Sequence, residues 1–335
     1  MAFYHLSHTD LDGYTCQYIT KQLYPQGRFF NANYGEEVQV RIDQILDLIA
    51  QEQEPSLFLI TDLNLNDHEA SYLDQKIKKL ESVELMLLDH HASGLETSLG
   101  YGWYHLDVTK SASLITFERF KKESITHLEP LVRAVNAVDI WLQEDRLFEF
   151  GKVLMRLVDE AKEINRYTFN EDSIAYKHAM LQSALPYLER PDGHIALDDD
   201  LCKIKKAHFL QDGADTLDNL LTAHILKLLA SQKERMSISF QEYKGILTYG
   251  IQNSSIVGNA FLKANPDFHF FMNVSPRGTF SLRADNKMDV SKMAQMIAGG
   301  GGHPNASGGK IEDFREFFVY EDLRSFIQEL LERKG

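Results

Sequence analysis

Cysteine is nearly absent from this chain: 335 residues contain two, Cys16 and Cys202, far apart and in no metal-ligand spacing. That excludes a disulfide framework and a thiolate zinc site, and it fits a reducing compartment. Long apolar runs are missing as well. The longest stretches, such as LFLI and LMLL, cannot span a bilayer, and the opening MAFYHLSHTD carries histidine and aspartate where a signal peptide needs an apolar core. A cytoplasmic location with no membrane association is expected. Positive charge is scarce: 35 Lys and Arg face 49 Asp and Glu, a formal net charge of -14. Tight sequence-independent binding to long nucleic acid draws on many cationic contacts to phosphate, so the balance argues against it, though not against a short anionic substrate. Internal repeats and low-complexity tracts are absent too.

What is present is an ordinary globular composition, 44% hydrophobic and 25% charged, in a chain long enough for two cores. Apolar runs of four to six residues alternate from the start with amphipathic segments of helical length, the pattern of a parallel sheet with crossover helices. Strands are expected near residues 3–7, 28–33, 57–62, 84–89 and 102–106, with helices over 13–23, 37–50 and 67–80, the last capped by Asn66. Residues from about Leu142 to Met236 have helical periodicity and no chemical signature, with an irregular acidic stretch at Pro191 to Asp200. A second α/β pattern follows. SISFQEY and GILTYGI read as strands, 254–264 as a helix, FHFFMNV and TFSLRA as a hairpin about Arg277-Gly278, and 290–298 and 321–333 as helices. The division expected is therefore 1–141, a helical connector over 142–235, and 236–335.

Acidic and histidine residues cluster where the first, third and fourth apolar strands should end: His8, Asp10 and Asp12, then Asp62, then Asp89-His90-His91, with Asp139 downstream. Open α/β sheets bind ligands at the carboxyl ends of their strands. Carboxylates and imidazoles in this number can hold two divalent ions and leave positions open for water and substrate, which implies a metal-dependent hydrolase. Plainer readings stand beside this one. Asp10 or Asp12 suits a helix cap, Asp62 a loop start, and Asp139 an exposed helix position. Asp89-His90-His91 has no obvious packing purpose directly after ELMLL. In the metal reading, His8, Asp10 and Asp12 turn toward one point while Gly13 lets the backbone turn tightly. Near the other end, Gly299 to Gly302 reads by default as a flexible loop, but His303 and Gly308-Gly309 follow, so backbone amides could approach an anion there.

The ordered set HTDLDG, Asp62, the Asp89-His90-His91 triplet and Asp139 resembles the DHH phosphoesterase superfamily, whose members include RecJ-type exonucleases, nanoRNases, cyclic dinucleotide phosphodiesterases and manganese pyrophosphatases. GGGGHPNASGG, with SLRAD upstream, resembles the DHH-associated domain of its nucleotide-cleaving branches. The two signatures lie near opposite ends of the chain, so the resemblance covers most of it. It implies a parallel-sheet DHH domain, a helical connector and a smaller α/β DHH-associated domain with the cleft between them. It also implies two manganese ions, with magnesium as the alternative: His8, Asp10 and Asp62 on one, Asp12, Asp62, His90 and Asp139 on the other. Asp89 would orient a neighbour and His91 would face the phosphate or leaving group. Gly301, Gly302 and His303 would hold substrate phosphate, and Arg283 the phosphate or a base. Ser307 departs from the more usual alanine and is also small.

These features lead us to expect a manganese-dependent phosphodiesterase that cuts RNA oligonucleotides of a few residues to mononucleotides. Hydrolysis of a cyclic or linear dinucleotide, or of an adenosine bisphosphate, is the nearest alternative. A pyrophosphatase fits less well, because only one residue separates His8 from Asp10. A rival of another class is a nucleotide-binding regulator that keeps the fold without catalysis; the complete ligand set argues against it. A homodimer is compatible with the chain, whose oligomeric state the sequence leaves open.

Overall fold

A computed structural model describes residues 1–210 and 213–335. The chain folds as two compact units, one formed by residues 1–161 and 174–204 and the other by 162–173 and 205–335.

The first unit begins with β1 (Ala2–Ser7), α1 (Leu11–Leu23), β2 (Arg28–Asn31), α2 (Glu36–Glu52), β3 (Ser56–Thr61), α3 (Asp67–Ile77), β4 (Val83–Asp89), a short α4 (Leu95–Ser98) and β5 (Tyr104–Leu106). The strands form one sheet in the order β2-β1-β3-β4-β5, with every pair parallel. Strands covered on both faces read as near-continuous apolar runs, as do Leu57 to Ile60 of β3 and Leu85 to Leu88 of β4. On one face, Tyr4, Leu6, Phe58, Ile60 and Leu87 pack with Ile42, Ile45 and Ile49 of α2 and Leu73 of α3. Each such side chain, once buried, contributes roughly 1.5–3 kcal/mol. α1 and α5 (Ala112–Arg119) pack against the sheet and each other, followed by α6 (Glu129–Asp139) and α7 (Phe148–Glu160). The Asn66 cap forms as a reciprocal box: Asn66 Oδ1 accepts from Glu69 N at 3.0 Å, and Glu69 Oε2 accepts from Asn66 N at 2.9 Å.

The connector segment is shared between the units. α8 (Asn170–Ala184) starts in the second and continues in the first, and α9 (Gly193–Phe209) does the reverse. The acidic stretch expected to be irregular is helical from Gly193 onward. Leu197 and Ile204 are buried while Asp198 and Asp199 are exposed, so the aspartates form the solvent face of an amphipathic helix whose short apolar stripe they obscure.

The second unit continues with α10 (Leu217–Gln232), β6 (Ser237–Phe240), β7 (Tyr243–Tyr249), α11 (Ser254–Ala264), β8 (Phe270–Val274), β9 (Thr279–Ala284), α12 (Val290–Ala298), β10 (Gly301–His303), β11 (Ala306–Lys310) and α13 (Tyr320–Lys334). Its sheet runs β10-β11-β9-β8-β7-β6; β7 and β8 are parallel and the other neighbours antiparallel. The β8–β9 hairpin turns at Gly278, whose φ of 77° suits a residue without a Cβ. The glycine run is not a free loop. Gly299 ends α12, and from Gly301 the chain is an edge strand paired with β11.

Candidate metal centre

Because β1, β3 and β4 run parallel and in step, the residues that follow Ser7 and Thr61 and those that close β4 emerge at one edge of the sheet. β1 is also where the sheet order reverses, with β2 on one side and β3 on the other, which opens a crevice at the carboxyl ends. A buried polar chain fixes this edge. His5 Nδ1 and Nε2 lie 2.8 Å from Thr20 Oγ1 and Thr61 Oγ1, Thr61 Oγ1 lies 2.7 Å from Ser7 Oγ, and Ser7 Oγ donates to Gly13 O at 3.0 Å.

All six expected ligands come together, in overlapping groups whose ligand atoms lie within 4.8 Å of one another: His8, Asp10 and Asp62; Asp12, His90 and Asp139; and Asp62, His90 and His91. Asp62 belongs to two of the three. Its carboxylate is 3.7 Å from His8 Nδ1 through Oδ2 and 3.4 Å from His90 Nε2 through Oδ1, while His90 Nε2 lies 3.5 Å from Asp139 Oδ2. These separations are long for hydrogen bonds. They are near the spacing of two donors on one ion, about 3 Å for right-angled bonds of about 2.1 Å. Asp62 Oδ2 is buried and has no hydrogen-bond partner among the described residues. A buried carboxylate oxygen left in that state is costly, and a cation is the partner its surroundings suit. Asp62 also has φ of 57°, in the left-handed region. That conformation costs a residue with a Cβ on the order of 1–2 kcal/mol.

The electrostatics agree with the geometry. Burial, and then the charges of Asp10 and Asp12, push the Asp62 carboxyl well above the usual carboxylate range. Burial and Asp12 push Asp139 up to about 8, and burial raises Asp12. Burial would lower His8, but its hydrogen bond to Asp10 and the nearby Asp62 carboxylate outweigh that and bring it up to about 10. Burial opposes the Asp10 charge, yet the bond from His8, at 2.8 Å, holds Asp10 down to about 2. Several carboxylates in one buried place call for cations. Donors of this type fit divalent ions.

The plainer cap readings hold at the same residues. Asp10 Oδ1 accepts from Gly13 N at 3.0 Å and caps α1, and Asp12 accepts from Ala112 N at 2.7 Å and Ser113 N at 3.0 Å at the start of α5. Each oxygen keeps a lone pair for a metal. Two expectations need correction. His8 and Asp10 join one group and Asp12 another, because the first turn of α1 carries Asp12 away from them. Gly13 sits inside α1, not in a turn; a Cβ there would come within 2.4 Å of His8 O, so close backbone approach is what requires glycine. Asp89, fully buried, accepts from His91 Nδ1 at 2.8 Å and Tyr104 Oη at 3.2 Å, so the neighbour it orients is His91. Tyr34 was missed: its ring is 5.2 Å from that of His8 and its Oη 3.4 Å from both ring nitrogens of His91. It stands just past β2, at the carboxyl edge, and that position was the available signal.

In the second unit, the pairing register sets His303 opposite Ala306 and Ala306 opposite Arg283, so Arg283 and His303 occupy one transverse row on one face. Gly301 and Gly302 are exposed beside them. Arg283 Nη1 donates to Leu282 O at 2.8 Å, and Nη2 bonds Ser255 Oγ in the first turn of α11. That helix starts at Asn253 without a side-chain cap, so its free amides add to the positive character around Arg283. Ser255 was not foreseen. Ser307, the departure from alanine, donates to Val290 O at 2.6 Å and ties the hairpin to α12.

Residues 255–334 match the DHHA1 domain family. A 3′,5′-cyclic-nucleotide phosphodiesterase of Helicobacter pylori is 43% identical over 98% of this chain and 99% of its own length. The chain belongs to the DHH phosphoesterase superfamily and carries its DHHA1 domain. As a DHH protein it is a metal-dependent phosphoesterase. The oligoribonuclease NrnB of Bacillus subtilis is 23% identical over 96% of this DHH chain and 76% of its own. A crystal structure of a protein from Helicobacter pylori G27 superposes with a TM-score of 0.95 at 42% identity, covering 99% of both chains. Among the described residues, no helix is long and apolar enough to cross a membrane.

Proposed function

We propose that this DHH protein is a manganese-dependent phosphodiesterase of small nucleotides, and that 3′,5′-cyclic mononucleotides are its first substrate class. The observation that carries the reading is Asp62, buried, lacking a hydrogen-bond partner on Oδ2, and shared by two groups of ligands. His8, Asp10 and Asp62 would hold one ion, and Asp12, Asp62, His90 and Asp139 the other. When bound, such ions lower the pKa of water and neutralise charge developing on the phosphate. The imidazoles of His8 and His90 favour manganese over magnesium, which prefers oxygen and keeps its waters. His91, fixed through Nδ1 by Asp89, keeps Nε2 for the phosphate or the leaving oxygen. Arg283, with Gly301, Gly302 and His303, would hold the nucleotide.

The substrate class rests on the Helicobacter relative, similar over its whole length. Short oligoribonucleotides, which the sequence motifs put first, form the second reading, supported by the match to NrnB. A panel of cyclic AMP, cyclic GMP, two- to five-residue RNAs, cyclic dinucleotides and adenosine bisphosphate, each with manganese, magnesium or excess chelator, tests both. Turnover of the cyclic mononucleotides that ceases on chelation is expected. Faster cutting of the short RNAs would favour the second reading, and no hydrolysis of any diester by the manganese-loaded protein would refute the function.

A further inference from the structure

Tyr34 packs its ring against both His8 and His91 of this centre. Its loop, between β2 and α2, is held twice at Asn33: Thr9 Oγ1 bonds Asn33 Oδ1, and Glu37 Oε2 accepts from Asn33 N at 2.9 Å. Gly35 follows with φ of 94°, a conformation that turns the chain into α2 and favours glycine. Tyr34 therefore has a defined position although it is 45% exposed. The ring leans on His8 at 5.2 Å between centroids, tilted by 49°, and stands edge-on to His91 at 5.9 Å.

The hydroxyl is only partly engaged. Its proton has no acceptor nearer among the described residues than the two His91 nitrogens, each at 3.4 Å, well beyond the 2.7–2.8 Å usual for a hydroxyl donor. His91 Nδ1 is already committed to Asp89 at 2.8 Å. An ordinary tyrosine phenol, with a pKa of about 10, is a donor at neutral pH. A rigid, protonated, loosely satisfied donor beside His8 and His91 is suited to an anionic oxygen arriving between them.

We propose that Tyr34 is a substrate-contacting residue of this site: its hydroxyl donates to a non-bridging oxygen of the phosphate, and its ring walls that position against His8. The inference rests on the phosphodiesterase reading above. Tyr34→Phe keeps the ring and removes the donor; a hydrogen bond to a charged acceptor is worth about 1.5–3 kcal/mol, so kcat/KM on the best diester should fall about tenfold to a hundredfold. Manganese content and melting temperature should match the parent. Calorimetry with AMP and manganese gives a second measurement that needs no turnover, and Tyr34→Phe should bind AMP about tenfold more weakly. Parent-like kcat/KM together with parent-like AMP affinity overturns the inference and leaves the phosphodiesterase reading intact. Loss of manganese in Tyr34→Phe also overturns it, since the residue would then act through His8. Should the parent cut no diester, the functional reading fails, and AMP affinity alone decides Tyr34: a weaker Tyr34→Phe supports the contact, while equal affinity or no binding by either protein overturns it.

Discussion

The two units handle charge in opposite ways. The first buries Asp12, Asp62 and Asp89 at the carboxyl edge of a parallel sheet, among imidazoles, in a place suited to cations. The second sets the half-buried Arg283 of β9 in one row with the exposed His303 and bare glycine backbone of the edge strand β10, and none of the metal-capable groups found among the described residues lies there. A buried cluster of fixed ligands suits bond making and breaking, where preorganised charge is worth most. A half-buried arginine beside exposed backbone amides suits holding a phosphate that arrives and leaves. The contrast implies that damage to the first unit removes chemistry and damage to the second removes grip.

The largest break should come at Asp62. Asp62→Asn keeps the size and removes the charge that both groups share, so hydrolysis of every substrate should drop by about a thousandfold or more, with the circular dichroism spectrum unchanged. Near-normal turnover would mean the centre is misassigned.

A smaller and selective loss is expected in the second unit. Arg283→Ala should lower kcat/KM on a nucleotide diester by about tenfold to a hundredfold, the worth of a charge-assisted contact, but change hydrolysis of bis-p-nitrophenyl phosphate by less than about threefold. Equal losses on both compounds would end the division of labour.

The smallest effect tests the buried frame of the first unit away from the ligands. Burial lowers His178 from 6.5 to about 3, with Lys21 adding to the shift. A depressed histidine favours folding above its unfolded pKa, and that contribution is lost as pH falls from 6.5 toward 3. At pH 5 the loss is about 2 kcal/mol. His178 Nε2 is buried and has no hydrogen-bond partner among the described residues, so His178→Leu removes the titration without leaving a polar atom unmet. Denaturant unfolding at pH 7 and pH 5 should show the variant losing about 2 kcal/mol less than the parent. Identical losses would place His178 in contact with water.

Much of the first unit was legible because its signals are local. Apolar runs marked β1, β3 and β4, and each ran out at a candidate ligand that the parallel register then aligned. Asn66 announced α3 through its cap. What could not be read depended on partners distant in sequence. That Asp12 holds the start of α5, a hundred residues on, is a tertiary fact, as is the approach of His8 O to Gly13. α9 was obscured because four aspartates between 192 and 200 read as a loop while their solvent-facing spacing was that of a helix. The glycine run looked like a loop because strand propensity resides in side chains that β10 lacks; pairing with β11 makes it a strand. Tyr34 carried no motif, and only the sheet order brings it over His8 and His91.

The central claim is that Asp62 joins two metal positions, and manganese stoichiometry tests it most directly. Equilibrium dialysis of chelator-stripped protein against manganese, followed by metal analysis, should give about two ions per chain for the parent and at most one for Asp62→Asn, as the shared carboxylate requires. One ion or none in the parent, or two retained by Asp62→Asn, would contradict the account.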